Sequence, residues 1–581
     1  MNSIRKLFPC WGRLACAAPI LVFLLLPSSL LAQAPPIPER LPPDTVFYIH
    51  WHGKASLAAA SPNNHVLQLY RDPDMASLWP GLLNVLRDKK GSPSIPPRMV
   101  LAAASSLLEN AAVAGIVANP NPQLTASPQS LLKAGGFFLV YDETGKTDLI
   151  RMLTAAGDTS AGEPSPVTNY PFAGTSVEVH TSHGNAIYMA HAGGYFLASS
   201  QKRTIEDLIT RFPGSASPAA SLGQLPEYQA MIKYLGSDTS LDVYGRLPNF
   251  LKWIPPGEKY KLLAHFIQGL HLEKVRAAGE GISFSGEATR VRGAVLGDTS
   301  PGGLFDIVGS SSPTFLTQPV VGEAPSFSIS RMDFRAIFQL MRTAVLAAMP
   351  PEQAKSIAPF EAMAESYLGM PISDALGLFT GEIASVPNYA EDGAQQGLFA
   401  LTIERPEDVL RVLRAAVGSM TIAEDSSGNT TYLDLLFPYK DPQTGTMRRT
   451  SYYLAVTPRM LLAAPRKAML RAAVLRLNSL SGAATPHGIF ADPEFIQLRS
   501  LLPANLSGLA GTEFDRVPWN KIIARLEAQI EQAQKQANRP PSPLLSVLKQ
   551  MNFAVITRHL HMSASGWWKD PTGVYFSSYV Q

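Results

Sequence analysis

Hydrophobic and polar positions alternate along the chain with two different periods. Short apolar segments bounded by Pro, Gly and Ser turns are typical of strands, and apolar residues at every third or fourth position are typical of helices. Residues 519–537 show the helical period, because Ile522, Ile523, Leu526 and Ile530 fall on one face. The pattern predicts an α+β fold, in which helices pack on a mainly antiparallel sheet.

Two segments far apart in the chain share one order of elements. Residues 136–157 are typical of a strand, a turn and a short amphipathic helix, and residues 397–418 repeat this order. In the second copy Pro406 takes the first helical position, and each copy ends at a glycine suited to the left-handed conformation. Such a correspondence indicates an internal repeat.

Two further pairs follow in the same order. Residues 187–202 and 452–467 each predict a tight hairpin followed directly by a helix. The triplet P-E-Y at 226–228 then has its counterpart in P-E-F at 493–495. Since all pairs keep one order, the sequence predicts two related tandem domains.

One apolar run stands apart from this pattern. It covers residues 14–26, follows a stretch with basic and no acidic residues, and ends at a Pro-Ser-Ser break. This is the order of a secretory signal peptide, and the run is shorter than the roughly 20 residues that span a bilayer. We expect cleavage after Ala32, an exported mature chain in the periplasm or outside the cell, and no membrane span after cleavage. An uncleaved membrane anchor is the alternative.

The predicted division of the chain has five parts. Residues 1–32 form the signal peptide, 33–40 a Pro-rich linker, 41–297 the first α+β repeat domain, 298–325 a second linker and 326–581 the second repeat domain. The second linker is placed where glycine, proline and serine are frequent and no period is sustained.

Signal cleavage changes both the charge and the cysteine content. The formal net charge of +3 comes from 49 Lys and Arg against 46 Asp and Glu, and Arg5, Lys6 and Arg13 lie in the removed segment. The mature chain is then neutral, so its charge gives no support to nucleic-acid binding. Cys10 and Cys16 are removed as well, which leaves a cysteine-free mature chain without disulfides or thiol chemistry.

Three stretches carry a resemblance to a known group. They are L-P-P-D-T at 41–45, Y-F-L-A-S-S-Q-K-R-T-I-E-D-L-I at 195–209 and S-L-D-V-Y-G-R-L-P-N-F at 240–250. With these stretches the chain resembles exported bacterial proteins catalogued only as a domain of unknown function. The resemblance implies an envelope or secreted location and a duplicated α+β fold, and it implies no catalytic residues.

The sharpest chemical signal is a pair of histidines in the first strand. His50 and His52 stand two residues apart, so both side chains point to one face and could reach one metal ion. A zinc site needs a third protein ligand, and the next histidine, His65, lies beyond a Ser-Pro-Asn-Asn turn. The second repeat has Ser330 and Met332 at the corresponding positions. The sequence therefore predicts no metal, and exchange of the two histidines for Ser and Met is expected to cost little stability.

The other histidines give weaker signals. His180 and His183 flank a turn, and His183, which precedes a glycine, is expected to be an exposed hairpin residue. His559 and His561 repeat the H-x-H spacing in a late strand, and a site that joins them to the first histidine pair is not expected.

Motifs of the common catalytic and nucleotide-binding classes are missing from the sequence. There is no G-x-S-x-G elbow, no G-x-x-x-x-G-K-[ST] loop and no G-x-G-x-x-G that opens a helix. The Ser-x-x-Lys spacing occurs without its companion motifs at Ser130/Lys133, Ser199/Lys202 and Ser546/Lys549.

Four acidic residues are candidates for acid–base chemistry. Glu280 and Glu287 flank a hairpin and are expected to be solvated turn residues. Asp242 and Glu382 lie in apolar strands, where an edge-strand position is more common than a catalytic one. The sequence thus predicts no catalytic, cofactor-binding or metal-ligating residue and no cofactor.

These observations favour a non-enzymatic exported protein that binds a protein partner or an apolar ligand, with a cleft between the two duplicated domains. A hydrolase with a dispersed active site is one alternative, because dispersed triads leave no local motif. A scaffold subunit of an envelope assembly is another, and it would expose a large apolar patch.

Overall fold

The structure, a computed structural model, describes residues 37–58, 60–76, 110–118, 136–143, 167–182, 185–212, 220–251, 258–308, 313, 315–379, 381–390, 393–440, 446–479, 488–536, 549 and 552–581. Several predictions fall outside these residues. They are the signal peptide 1–32 with its cleavage site, Cys10, Cys16, Ser130, Lys133, His183 and Ser546.

Strands make up much of the described chain. They are β1 (Thr45–His52), β2 (Ala111–Val117), β3 (Gly136–Asp142), β4 (Val167–Phe172), β5 (Thr175–Ser182), β6 (Asn185–Ala192), β7 (Tyr195–Ser199), β8 (Leu241–Gly245), β9 (Val275–Ser283), β10 (Thr289–Gly297), β11 (Ser326–Met332), β12 (Gly381–Tyr389), β13 (Gln395–Thr402), β14 (Thr421–Ser427), β15 (Thr430–Lys440), β16 (Met447–Val456), β17 (Met460–Ala464), β18 (Gly508–Glu513), β19 (Met562–Asp570) and β20 (Gly573–Val580).

Helices alternate with these strands. They are α1 (Lys54–Ala58), α2 (His65–Arg71), α3 (Pro73–Ala76), α4 (Lys202–Arg211), α5 (Pro226–Leu235), α6 (Leu247–Leu251), α7 (Glu258–Gly269), α8 (Gln318–Val321), α9 (Phe334–Ala348), α10 (Pro351–Ala354), α11 (Ile357–Leu368), α12 (Ile372–Gly377), α13 (Pro406–Val417), α14 (Lys467–Ser479), α15 (Pro493–Ser500), α16 (Trp519–Gln536) and α17 (Ala554–His559).

The chain forms two compact units, each built from segments distant in sequence. Unit 1 takes its described residues from Met1–Trp253, Gly279–Thr289 and Glu527–His559. Unit 2 takes them from Ile254–Ala278, Arg290–Leu526 and Leu560–Gln581.

The sheet of unit 1 is antiparallel, with the strand order β8–β1–β2–β3–β7–β6–β5–β4. Helix α4 packs on β6 and β7 and buries Ile205, Leu208 and Ile209. These side chains are spaced by three and four residues, so the helix presents one apolar stripe to the sheet.

The sheet of unit 2 is also antiparallel, with the strand order β20–β19–β18–β11–β12–β13–β17–β16–β15–β14. Helix α14 packs on β16 and β17 and buries Leu470, Ala473 and Val474. Val409 and Leu410 of α13 lie in a separate apolar cluster beside α12.

The predicted combination of helices with mainly antiparallel sheet is confirmed. The hairpin expected at 187–202 is formed by β6 and β7, joined through Gly193 and Gly194 at positive φ, and α4 follows directly. Helix α13 begins with Pro406 in the first turn as predicted, but Gly418 has φ −56° and continues into a short 3-10 turn. The left-handed ending expected at Gly418 is therefore wrong.

The described residues of the predicted second linker pack against the rest of unit 2. Phe305, Thr317, Val320 and Val321 are buried there, and α8 lies against α14. The predicted domain boundaries remain a prediction.

Among the described residues, no helix combines the length and apolar character needed to cross a bilayer.

Candidate functional site

The two histidines of β1 lie opposite an aspartate of β8. The antiparallel register pairs His50 with Asp242, and it pairs Tyr48 with Tyr244 one step along the same face. Because alternate residues of a strand share a face, His52 points to the same side as His50. The pairing of β1 with β8 thus brings together three potential metal ligands, His50, His52 and Asp242.

The three side chains are in direct contact. His50 Nδ1 lies 2.9 Å from Asp242 Oδ1, and His52 Nε2 lies 2.5 Å from the same oxygen. The two imidazole rings are 3.9 Å apart between centroids. His50 and Asp242 are buried, with 3% and 2% of their surface exposed, while the His52 side chain is 26% exposed.

Burial and charge act in opposite directions on these groups. Burial lowers the pKa of His50 below its ordinary 6.5, although the nearby Asp242 charge opposes this shift. Burial alone would raise the pKa of Asp242, but the charges of His50 and His52 and their hydrogen bonds outweigh it and lower that pKa. At neutral pH the site therefore holds a neutral His50 beside an ionised carboxylate.

We expect the free energy of unfolding to fall when the pH is lowered from about 7 to about 5. Below pH 6.5 the unfolded chain protonates His50, whereas the folded chain does so only at the lower native pKa. The stability that neutral His50 contributes is fully present above pH 6.5, and it is lost progressively as the pH falls below that value. Urea midpoints measured across this range test it. A His50→Gln variant should show a shallower decline, and an equal decline in both proteins would contradict the prediction.

Tyrosines border the cluster on the same face. Tyr48 stacks on Tyr244 at 5.6 Å between ring centroids, and Tyr228 meets Tyr244 edge-on at 5.3 Å. Burial, and then the charge of Asp242, raise the pKa of Tyr48. By strict distance and angle limits neither the Tyr48 hydroxyl nor Asp242 Oδ2 makes a hydrogen bond to a described residue, but Tyr48 lies close enough to Asp242 and Tyr228 for weak hydrogen bonding to both to contribute to its raised pKa.

The other histidines do not join this cluster. His559 Nε2 lies 2.8 Å from Asp72 Oδ2, and the His65 ring lies 3.0 Å from the backbone oxygen of His559. His561 contacts Asp515 at 3.2 Å, and His180 lies 3.5 Å from Glu178. Within the described ranges, no second group of three His, Cys, Asp or Glu ligand atoms is close enough to share a metal ion.

The Ser199/Lys202 spacing does not form a catalytic pair in the structure. Ser199 Oγ donates to the backbone oxygen of Phe137 at 2.9 Å. The Lys202 amine instead lies 3.8 Å from Glu206 and 4.7 Å from the centre of the Tyr170 ring.

Two of the four candidate acids differ from their expected environment. Glu280 lies within β9 rather than in a solvated turn, and burial raises its pKa. Glu382 is buried in β12, which pairs with β11 on one side and β13 on the other and is therefore no edge strand. Glu382 accepts hydrogen bonds from the backbone nitrogens of Phe315 and Thr317, each at 2.7 Å, and from Thr317 Oγ1 at 2.5 Å. This carboxylate holds a segment in place.

A cavity of about 320 Å³ lies beside that segment in unit 2. Phe315, Ile496, Arg499 and Leu506 are among the residues that line it, and the Arg499 guanidinium lies 4.7 Å from the centre of the Phe315 ring. The volume is at the lower end for small-molecule sites.

The comparisons with known proteins identify no family. No protein-family model matches the chain, and no curated protein matches it significantly. One solved structure, entitled "Structure of crystal form I of TP0453", is 10% identical, covers 46% of this chain and 80% of its own, and has a TM-score of 0.22. A similarity of this size carries no argument about fold or function.

Proposed function

We propose that this is an exported, non-enzymatic bacterial protein that binds a protein partner through helix α11. The observation that carries the proposal is a stripe of large apolar side chains on that helix, formed by Phe360, Met363 and Tyr367, with 64%, 63% and 69% of their surface exposed. We call these three residues the α11 stripe.

The spacing of the α11 stripe matches a recognised mode of binding. Phe360, Met363 and Tyr367 stand at positions i, i+3 and i+7, so they project from one helical face. An amphipathic helix docks into an apolar groove through side chains at this spacing. At about 200 Å² for each side chain, the exposed part amounts to roughly 400 Å², which is within the range of the largest apolar patch on a typical monomer, and such patches are often functional.

The helix is held in place without burial of its stripe. None of its residues is fully buried. Arg342 of α9 makes a two-pronged contact with Glu361, at 2.6 Å and 2.9 Å. Leu368, at the end of the helix, packs against the apolar cluster around Ala375. Because the helix is already fixed on its polar side and at its end, little conformational entropy is lost when a partner binds the α11 stripe.

We also propose that the two halves arose by duplication. Adding ten to each strand number converts the order β8–β1–β2–β3–β7–β6–β5–β4 into β18–β11–β12–β13–β17–β16–β15–β14, which is the order observed in unit 2. The registers correspond as well, since Phe47 lies opposite Gly245 and Phe327 opposite Gly511. Matching order and register support common descent of the halves.

Export is part of the same proposal. It rests on the signal-peptide pattern of residues 1–32 and on the resemblance to exported bacterial proteins. A chain without cysteine after cleavage folds without disulfide formation.

Site-specific crosslinking tests the partner-binding surface. A photoreactive amino acid placed at Met363 should crosslink to a protein in the cells that produce this chain, whereas the same amino acid at Leu475 should not. Leu475 is a matched control, because it is 68% exposed and also lies on a helix of unit 2. Adding Phe360→Ser and Tyr367→Ser should reduce the Met363 crosslink at least tenfold, because exposed aromatic anchors dominate such interfaces. Equal crosslinking from both positions, or none from Met363, would refute the assignment of α11.

A further inference from the structure

We infer that His50, His52 and Asp242 form a binding site for one divalent transition-metal ion of the zinc class. The site lies within unit 1, and the inference is independent of the function proposed for α11. It differs from the sequence-based prediction of no metal, which rested on the lack of a third ligand and on Ser330 and Met332 in the second repeat and did not include Asp242.

The donor atoms fit such an ion in type and spacing. Two imidazole nitrogens and one carboxylate oxygen are a common ligand set for zinc and its neighbours. His50 Nδ1, His52 Nε2 and the carboxylate of Asp242 all lie within 4.8 Å of one another. Ligands about 2.0–2.2 Å from a tetrahedral ion lie roughly 3.3–3.6 Å apart. The observed 2.9 Å and 2.5 Å contacts need only a small opening to admit the ion.

Hydrogen bonding alone does not account for the whole arrangement. Both histidines approach the same oxygen, Oδ1, although Asp242 has two. Oδ2 is buried and has no hydrogen-bond partner among the residues that the structure describes. Buried polar atoms are rarely left in this state, and a bound ion is one way to satisfy them. A cation held by the two imidazole nitrogens and by both oxygens of Asp242 would satisfy Oδ2 as well as Oδ1, and it would replace the protons that now separate the ligands.

The scaffold around the ligands is rigid and gives access from one side. β1 and β8 are held in register by their ladder and by the backbone bond from His52 nitrogen to Ser240 oxygen, 3.0 Å long. Rigid strands position ligands more precisely than loops do. His52 is partly exposed, so an ion can enter from its side, and three protein ligands leave a coordination position open.

Unit 2 shows that this strand pair can be built without the ligands. In the equivalent register Ser330 lies opposite Gly508, and Met332 stands where unit 1 has His52. An added Cβ at Gly508 would come within 2.1 Å of the Trp567 ring. The β11–β18 pair of unit 2 therefore has no room for a side chain at the position that Asp242 occupies in unit 1. If the proposed duplication holds, the ligand set is a specialisation of unit 1.

Metal titration of the untagged mature chain, stripped with EDTA, tests the inference. Zn²⁺ should bind with a stoichiometry of one per chain, and Co²⁺ should give the visible absorption of a cobalt ion held by nitrogen and oxygen ligands. His52→Gln should weaken Zn²⁺ binding by at least about a hundredfold, because loss of an outer-shell partner alone costs up to about a hundredfold and His52 is a direct ligand. This variant keeps the buried His50–Asp242 pair, and circular dichroism checks that it folds.

His559→Gln is the matched control, since it removes a histidine paired with an aspartate that lacks a third ligand. It should bind Zn²⁺ as tightly as the unmodified chain does. Asp242→Asn should abolish the cobalt spectrum. The inference is overturned if the unmodified chain binds neither metal, or if His52→Gln and Asp242→Asn bind both metals as the control does.

Discussion

Replacing His50 by Ser and His52 by Met should destabilise unit 1 by about 3–5 kcal/mol. Asp242 is 2% exposed, and these two histidines make its hydrogen bonds. Without them the buried carboxylate would lose its hydrogen-bond partners and would either stay ionised and unpaired or take up a proton, and both outcomes cost free energy. The sequence-based expectation that this exchange costs little did not include Asp242, and with Asp242 in the site we expect a large cost instead.

The exchange is best measured by urea unfolding in EDTA, so that no metal contributes to stability. Adding Asp242→Ala to the double variant should recover much of the loss, because removal of both partners leaves no buried charge. A double variant within about 1 kcal/mol of the unmodified chain would show that Asp242 does not depend on the histidines.

Replacing Glu382 by Ala should destabilise unit 2 by about 2–4 kcal/mol. The lost carboxylate is 2% exposed and accepts hydrogen bonds from two backbone nitrogens and one hydroxyl. Those donors lie next to α8, whose Val320 and Val321 are buried. Release of Phe315 and Thr317 should therefore loosen this helix and open the region to protease.

Urea unfolding and limited proteolysis with mass mapping measure the two parts of this prediction. Glu352→Ala is the control, because the Glu352 side chain is 82% exposed and pairs with Lys355 three residues away on the surface. The control should leave both readouts unchanged. If Glu382→Ala unfolds at the same urea concentration as the control and is not cut near residues 315–321, Glu382 does not anchor this segment.

Local pattern was sufficient for much of the fold. The hairpin through Gly193 and Gly194 could be predicted because two glycines between apolar segments favour a tight turn. The start of α13 could be predicted because Pro406 fits the first turn of a helix and not its interior. At Gly418 the pattern failed, because a glycine at a helix end permits a left-handed conformation without requiring it.

The candidate site could be predicted only in part. The H-x-H spacing identified two ligands, since strand geometry places alternate residues on one face. The third, Asp242, lies 192 residues from His50, and only the register of β1 and β8 brings them together. A shift of one residue would turn Asp242 to the opposite face, so nothing local in the sequence fixes the contact. The environment of Glu382 was missed for the same reason, because its partners lie 65 and 67 residues away.

Native mass spectrometry of the protein taken from the cells that produce it tests the central proposal most directly. We expect a chain that begins at Gln33, bound to a protein partner. The partner should be retained by the Leu475→Ser control and lost from the Phe360→Ser/Tyr367→Ser variant. A partner retained equally by all three proteins, or a chain that carries no partner in any of them, would contradict the proposal that α11 binds one.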